Sequence, residues 1–102
     1  MKDYTDTELV QLFLDNSSRN HAFELIVRKY QEKLYWHIRK MLISHDDTDD
    51  ALQNTMINAY QGLENFREDA SLYTWLYRIA TNEALSAIKR KKRRLFLNLD
   101  DV

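Results

Sequence analysis

The sequence predicts an all-α fold, a compact bundle of about four helices whose last helix is long and basic. Three observations carry this. The chain of 102 residues holds one glycine and no proline, far below ordinary usage, which leaves helices and short turns as the economical architecture. Apolar residues recur every three or four positions over most of the chain. Capping residues stand where those periodic stretches begin.

The elements follow in order. Thr5 and Glu8 have capping-box spacing, and Leu9, Leu12 and Phe13 form an apolar stripe behind them. Asn16-Ser17-Ser18 reads as a turn in which either serine can cap the next helix. That second helix is expected over Arg19 to Ile43, on the stripe Phe23, Ile26, Val27, Tyr30, Leu34, Ile38 and Met41. Ser44-His45-Asp46-Asp47 breaks the pattern, so Asp46 or Asp47 is expected to cap a third helix from Thr48 to Asn65. Its stripe is Leu52, Met56, Ala59, Tyr60 and Leu63, and Gly62 weakens its last turn. After a loop from Arg67 to Ala70, Ser71 caps the fourth helix. Leu72, Leu76, Ile79, Ala80, Ala84, Ala87 and Ile88 form its inward face, and Lys89 to Arg94 are six consecutive basic residues.

The bulk properties exclude several classes. A chain of this length is one domain that buries roughly 60–65% of its unfolded surface. It has no cysteine, so disulfides and thiolate metal sites are excluded, which fits a reducing cytoplasm. No apolar run is long enough for membrane insertion, and the N-terminus has no apolar signal segment. Glycine-rich phosphate loops and nucleophile elbows are missing, and His45 has no matching partner for a metal site. No catalytic residue, metal, cofactor or small-molecule substrate is therefore expected.

The net charge of −1 hides an asymmetry. Residues 1–70 hold 8 Lys/Arg against 13 Asp/Glu, whereas residues 71–94 hold 7 Lys/Arg against the single Glu83. Two surfaces with different partners follow: an acidic one suited to a basic protein and a basic one suited to phosphates. On the fourth helix, Trp75, Arg78, Asn82, Ser86, Lys89 and Arg93 share a face that offers an aromatic plane, hydrogen-bonding groups and cations in a line. Aromatic planes stack on unpaired bases and cations hold phosphates, so the face reads as a nucleic-acid track. The plainer alternatives are a core role for Trp75 and a solvated charge run.

Three motifs resemble region 2 of bacterial sigma factors of the sigma-70 superfamily, in the extracytoplasmic-function (ECF) subgroup. Ala22-Phe23-Glu24-Leu25-Ile26-Val27-Arg28-Lys29-Tyr30 is similar to the opening of that family's first conserved helix. Asp50-Ala51-Leu52-Gln53-Asn54-Thr55-Met56-Ile57-Asn58-Ala59-Tyr60 looks like its second, and Phe66-Arg67 through Ser71, then Thr74-Trp75-Leu76-Tyr77-Arg78-Ile79-Ala80 and Asn82, looks like its third. The resemblance implies a transcription initiation factor of the bacterial cytoplasm. Such a domain binds core RNA polymerase and recognises and helps melt the promoter −10 element. Asp49, Asp50, Gln53 and Asn54 would dock on the clamp helices of the β′ subunit. Phe66, Arg67, Ser71 and Tyr73 would take a base flipped from the non-template strand, while Thr74, Trp75, Arg78, Asn82, Lys89, Arg90 and Arg93 would hold the DNA. An anti-sigma factor is a further implied partner.

Departures from the family pattern are Ala51 and Leu72 in place of larger residues, Met56 for phenylalanine, Glu68 for glycine and Tyr73 for arginine. Residues 1–94 are expected to form the region 2 domain, and Leu95 to Val102 to begin a linker to a −35-reading domain that has no counterpart here. The competing reading is a helical adaptor whose basic tail binds nucleic acid without sequence preference. It predicts binding that ignores strandedness.

Overall fold

Thr5 opens α1 (Asp6–Leu14) with the expected reciprocal cap: the Glu8 amide donates to the Thr5 hydroxyl at 3.2 Å and the Thr5 amide to the Glu8 carboxylate at 3.0 Å. The architecture that follows, in a computed structural model describing residues 3–67 and 69–100, is α2 (Arg19–Arg39), α3 (His45–Gly62) with a 3₁₀ turn (Leu63–Asn65), and α4 (Leu72–Asp100). No strand occurs among the described residues, as the all-α expectation requires. α4 packs on both α2 and α3, and α1 closes over α2 and the 3₁₀ turn.

The turn between α1 and α2 uses its side chains differently from expectation. Ser18 occupies the N-cap position of α2 but makes no side-chain cap bond. Its hydroxyl donates back to the Leu12 carbonyl at 2.7 Å, and the Arg19 guanidinium donates to the Phe13 carbonyl at 3.1 Å. These are end-of-helix carbonyls of α1 that lack intrahelical donors. Asp15 holds the bend by accepting from the Ser17 amide and hydroxyl, which lowers its pKa.

α2 ends at Arg39, four residues earlier than its apolar pattern suggests. The Met41 amide bonds the Ile38 carbonyl, tightening the last turn, and the Arg39 guanidinium caps the Leu42 carbonyl at 2.9 Å. Leu42 thereby stays in the core while Ile43 is turned out to solvent. Ser44, rather than Asp46 or Asp47, caps α3: extended in backbone, it accepts the Asp47 amide at 3.0 Å. The aspartates then lie inside the first turn, where the helix dipole favours negative charge.

α3 is also rotated from the expected stripe. Thr48, Ala51, Thr55 and Ala59 are buried, Leu52 and Met56 lie at the flanks, and Tyr60 is exposed. Burying two threonines leaves no polar group unpaired, because Thr48 donates to the Ser44 carbonyl at 2.8 Å and Thr55 to the Ala51 carbonyl at 2.7 Å. The small stripe lets α3 approach the similarly small face of α4, where Ala80 and Ala84 are buried. The inward face of α4 is otherwise as predicted, with Leu72 and Leu76 buried and Ile79, Ala87 and Ile88 packed at its margins.

Gly62 marks a close approach. A Cβ at this position would lie 3.3 Å from Cζ2 of Trp75, so the absent side chain makes room for the indole. α4 does not end with the basic run but continues as helix through Leu95 to Asp100. Twenty-nine residues at 1.5 Å each reach about 43 Å, and the molecule accordingly measures 57 × 25 × 24 Å.

Leu34 is fully buried at the centre of α2. Leu34→Ala is expected to lower unfolding stability by about 2–5 kcal/mol, read from the midpoint of a urea titration at unchanged slope. A loss below about 0.5 kcal/mol would contradict this core assignment.

Candidate nucleic-acid interface

The charge asymmetry becomes two surfaces. The acidic one is the N-terminal half of α3. Asp49 is held by His45, whose Nε2 lies 3.1 Å from the Asp49 carboxylate, and His45 Nδ1 is 2.6 Å from the Tyr35 hydroxyl. If Nε2–H donates to Asp49, then Nδ1 accepts from Tyr35, and the chain of bonds anchors Asp49 to α2. Asp50, Gln53 and Asn54 are exposed. They engage no hydrogen bond or ion pair among the described residues, so their polar groups remain available to a partner. Asp47 is instead approached by Lys91 at 3.5 Å.

The basic surface divides. Arg78, Asn82, Lys89 and Arg93 are exposed along one side of α4. Arg90 lies off this line, in a groove of about 700 Å³ that it shares with Asp47 and Asp50. Trp75 is half-buried, its ring against Phe66 at 5.3 Å and its edge over Gly62. The indole thus braces the loop and is neither fully in the core nor fully exposed.

The loop preceding α4 covers a cavity of about 380 Å³. Phe66 and Ser71, two of the four residues expected at a base pocket, line it together with Asp69, Ala70 and Leu72. Its opposite wall was not foreseen: Asp6, Thr7 and Val10 of α1. Ser71 also caps α4, accepting the Thr74 amide at 3.1 Å and donating to the Thr74 hydroxyl at 2.8 Å. Arg67 is exposed and Glu68 lies outside the described residues.

Tyr73 does not enter this cavity. Its ring stacks on Tyr30 at 5.4 Å, and Lys33 lies 5.7 Å above it. Behind Tyr73, the Tyr30 hydroxyl donates to Asp6, whose carboxylate also pairs with Lys29 at 2.7 Å. The acidic cavity wall is thus already compensated within the fold. Burial first, and the Asp6 carboxylate second, push the Tyr30 pKa far above its ordinary value of 10.0.

Next along α4, Tyr77 stacks on His37 at 3.6 Å. The Thr81 hydroxyl gives its one proton to the Tyr77 carbonyl at 2.9 Å, so His37 Nε2, 2.7 Å away, must be the donor to Thr81. Burial, then the nearby Lys40 charge, hold the His37 pKa below its ordinary value.

A family model described as Sigma-70 region 2 matches residues 26–94. The chain belongs to the sigma-70 region 2 family. Relatives named for the ECF subgroup accompany this match. The ECF RNA polymerase sigma-E factor of Haemophilus influenzae is 37% identical over 90 residues, covering 88% of this chain and 46% of its own length. The ECF RNA polymerase sigma factor SigM of Mycobacterium tuberculosis is 33% identical over 98 residues, covering 96% and 49%. The RNA polymerase sigma-H factor of Pseudomonas aeruginosa is 39% identical over 89 residues, covering 87% and 45%. The chain spans about half the length of these curated relatives. An NMR structure of an engineered region 2 of sigmaE, in complex with GTAAAA, superposes with a TM-score of 0.81 at 34% identity, covering 93% of this chain and 98% of that one. Among the described residues of this region 2 chain, no helix is long and apolar enough to cross a membrane.

The Tyr30–Asp6 bond ties the region 2 core to the cavity wall. A raised pKa in the fold means that the neutral phenol is favoured there. This stability is fully present below pH 10, the unfolded value, and is lost as pH rises toward the folded one. Unfolding stability is therefore expected to fall above about pH 10, with a smaller fall in Tyr30→Phe. Parallel pH profiles for the two proteins would show that the bond carries no linkage.

Proposed function

We propose that this chain is the part of a transcription initiation factor that docks on core RNA polymerase and grips the unpaired non-template strand of a promoter −10 element. The observation that supports this best is the cavity between the Phe66–Leu72 loop and α1. It opens beside the exposed polar face of α4, in a fold shared with a region 2 whose partner is GTAAAA. A flipped base needs a recess with polar edges and a stacking wall. Asp69, Ser71 and Thr7 supply such edges and Phe66 supplies an aromatic wall.

The roles divide among the elements. Phe66 and Ser71 meet the base, and Arg67 and Thr74 flank it from the loop rim and the helix start. Tyr73 and Trp75 brace the two sides of the loop. Arg78 and Asn82 meet the DNA next, and Lys89 and Arg93 hold phosphates further along. Arg90, beside Asp47 and Asp50, belongs to the opposite edge of the helix. Asp50, Gln53 and Asn54, with Asp49 steadied by His45, form the face for the β′ clamp helices. Residues 1–94 make up this domain, and α4 beyond Arg94 leads toward a −35-reading domain. An anti-sigma factor covering α3 and α4 belongs to the same reading, as does action in the bacterial cytoplasm. Exposed Ile57, Leu95, Phe96 and Leu97 offer such a partner apolar surface. No catalytic step is involved.

The docking face is tested by titrating the chain with an isolated β′ clamp-helix segment. Gln53→Ala and Asp50→Ala are each expected to weaken binding by about 1–2 kcal/mol, roughly five- to thirtyfold, with helicity unchanged by circular dichroism. Wild-type affinity in both variants would remove α3 from the polymerase interface.

The DNA face is tested with single-stranded GTAAAA, its complement and the duplex. Preference for one single strand over the duplex is expected, against the indifference of a basic adaptor. Arg78→Ala is expected to reduce affinity and to soften the salt slope by about one charge, whereas Asn82→Ala reduces affinity at constant slope. Unaltered affinity and slope in both variants would take α4 out of the contact.

A further inference from the structure

The outer edge of α2 faces the first turns of α4 across a trough of about 570 Å³. Its charge is lopsided in a chain of net charge −1: Arg28, Lys29, Lys33 and Lys40 stand against the single acid Glu32. Two of these cations are committed within the fold, Arg28 to Glu24 at 2.6 Å and Lys29 to Asp6 at 2.7 Å. Lys33 and Lys40 engage no carboxylate among the described residues. They lie seven residues apart on one helix face, about 10 Å along the axis, the rise of about three stacked nucleotides.

Aromatic planes stand between them. Trp36 is 56% exposed, and among the described residues the ring it contacts is Tyr35, edge-on at 5.1 Å. Tyr77 is 41% exposed, its ring held by the stack on His37. Exposed aromatics interleaved with cations that no carboxylate engages are the pattern of single-strand binding, in which bases stack and phosphates pair. An exposed tryptophan also suits a protein interface, but the sign of the charge and the location favour nucleic acid. Tyr73 lines the trough and follows cavity-lining Leu72 in the chain, and it stacks on the tyrosine bonded to cavity-lining Asp6.

We propose that the α2–α4 trough is a second single-strand site, which takes the unpaired DNA continuing from the flipped base, with Lys33 and Lys40 on phosphates and Trp36 and Tyr77 as stacking planes. The inference rests on the base-pocket reading only for the point at which the strand enters.

The test compares the GTAAAA hexanucleotide with versions extended by six thymidines at the 5′ or the 3′ end, by fluorescence anisotropy. The trough lies to one side of the cavity, so one extension and not the other is expected to tighten binding at least about fivefold. The double variant Lys33→Ala/Lys40→Ala, and separately Trp36→Ala, should abolish this gain while leaving hexanucleotide affinity within about twofold. The extended strand should also quench tryptophan emission, with the quench lost in Trp36→Phe. No gain from either extension, or a gain that survives both variants, would overturn the proposal. Competition by an oligoglutamate peptide as strong as that by oligothymidine would overturn it in favour of an acidic protein partner. Failure of the hexanucleotide to bind, alongside oligothymidine binding that needs Lys33, Lys40 and Trp36, would keep the trough and sink the base pocket instead.

Discussion

The seam that holds α4 between α2 and α3 is the constraint on which everything else rests. Small residues make it close: Thr48, Ala51, Thr55 and Ala59 on α3, with Ala80 and Ala84 on α4. Helices packed through small side chains have little freedom to rotate or slide, because a shift of one residue would bring Leu52, Met56 or Ile79 into the seam. The outward faces of both helices are fixed by the same contact. Gln53 and Asn54 are displayed on α3 because Ala51 and Thr55 are buried. Arg78 and Asn82 are displayed on α4 because Leu76 and Ala80 are. One packing constraint thus orients two polar surfaces of opposite charge.

Electrostatics then keeps the surfaces from collapsing on each other. A chain with an acidic helix start and a basic run could satisfy its charges internally, but few of them pair. Lys91 approaches Asp47 only at 3.5 Å, and among the described residues no ion pair ties Asp50, Arg78, Lys89 or Arg93. Exposed pairs of this kind are worth little in water, so leaving them open costs the fold almost nothing and leaves their charge for a partner. On the α1 wall of the loop cavity the fold treats a charge differently, whereas Asp69 on the loop side is left exposed. Asp6 is held by both Lys29 and Tyr30, so the wall opposite the loop does not repel a phosphate-bearing strand as a bare carboxylate would.

Much of this was legible in the sequence, because the signals concerned were local. Helix number and order, and the inward faces of α2 and α4, follow from apolar spacing, and the Thr5–Glu8 cap follows from a short-range pattern. Other expectations failed where two local solutions compete. Ser18 can cap the helix after it or the one before it, and the open carbonyls of α1 win its hydroxyl. Thr55 is polar by type, yet a bond to the carbonyl four residues back makes it a small apolar-like contact, so α3 turns by about one position from the stripe that hydrophobicity alone suggests. The cavity wall was illegible for another reason. Asp6, Thr7 and Val10 lie some sixty positions from the loop they face, and no periodicity reports a contact at that distance. Tyr73 shows the same limit from the other side: beside Ser71 in sequence, it points away from the cavity because Tyr30 offers a ring to stack on.

Tyr73 links the two halves of the proposed DNA path, and its position explains why the path can have two kinds of site. On the loop side, the backbone before α4 is held by the Ser71 cap and the Phe66–Trp75 contact, which steadies the wall of the proposed base slot. On the α2 side, Lys33 and Lys40 end in flexible chains and Trp36 is more than half exposed, which suits stacking without choice of base. A rigid slot followed by an adaptable track separates sequence reading from holding. In the proposed path the holding part would add affinity whatever the bases, while the slot would discriminate among them. The adaptable part therefore belongs on α2, away from the capped loop, where binding there need not distort the slot that reads.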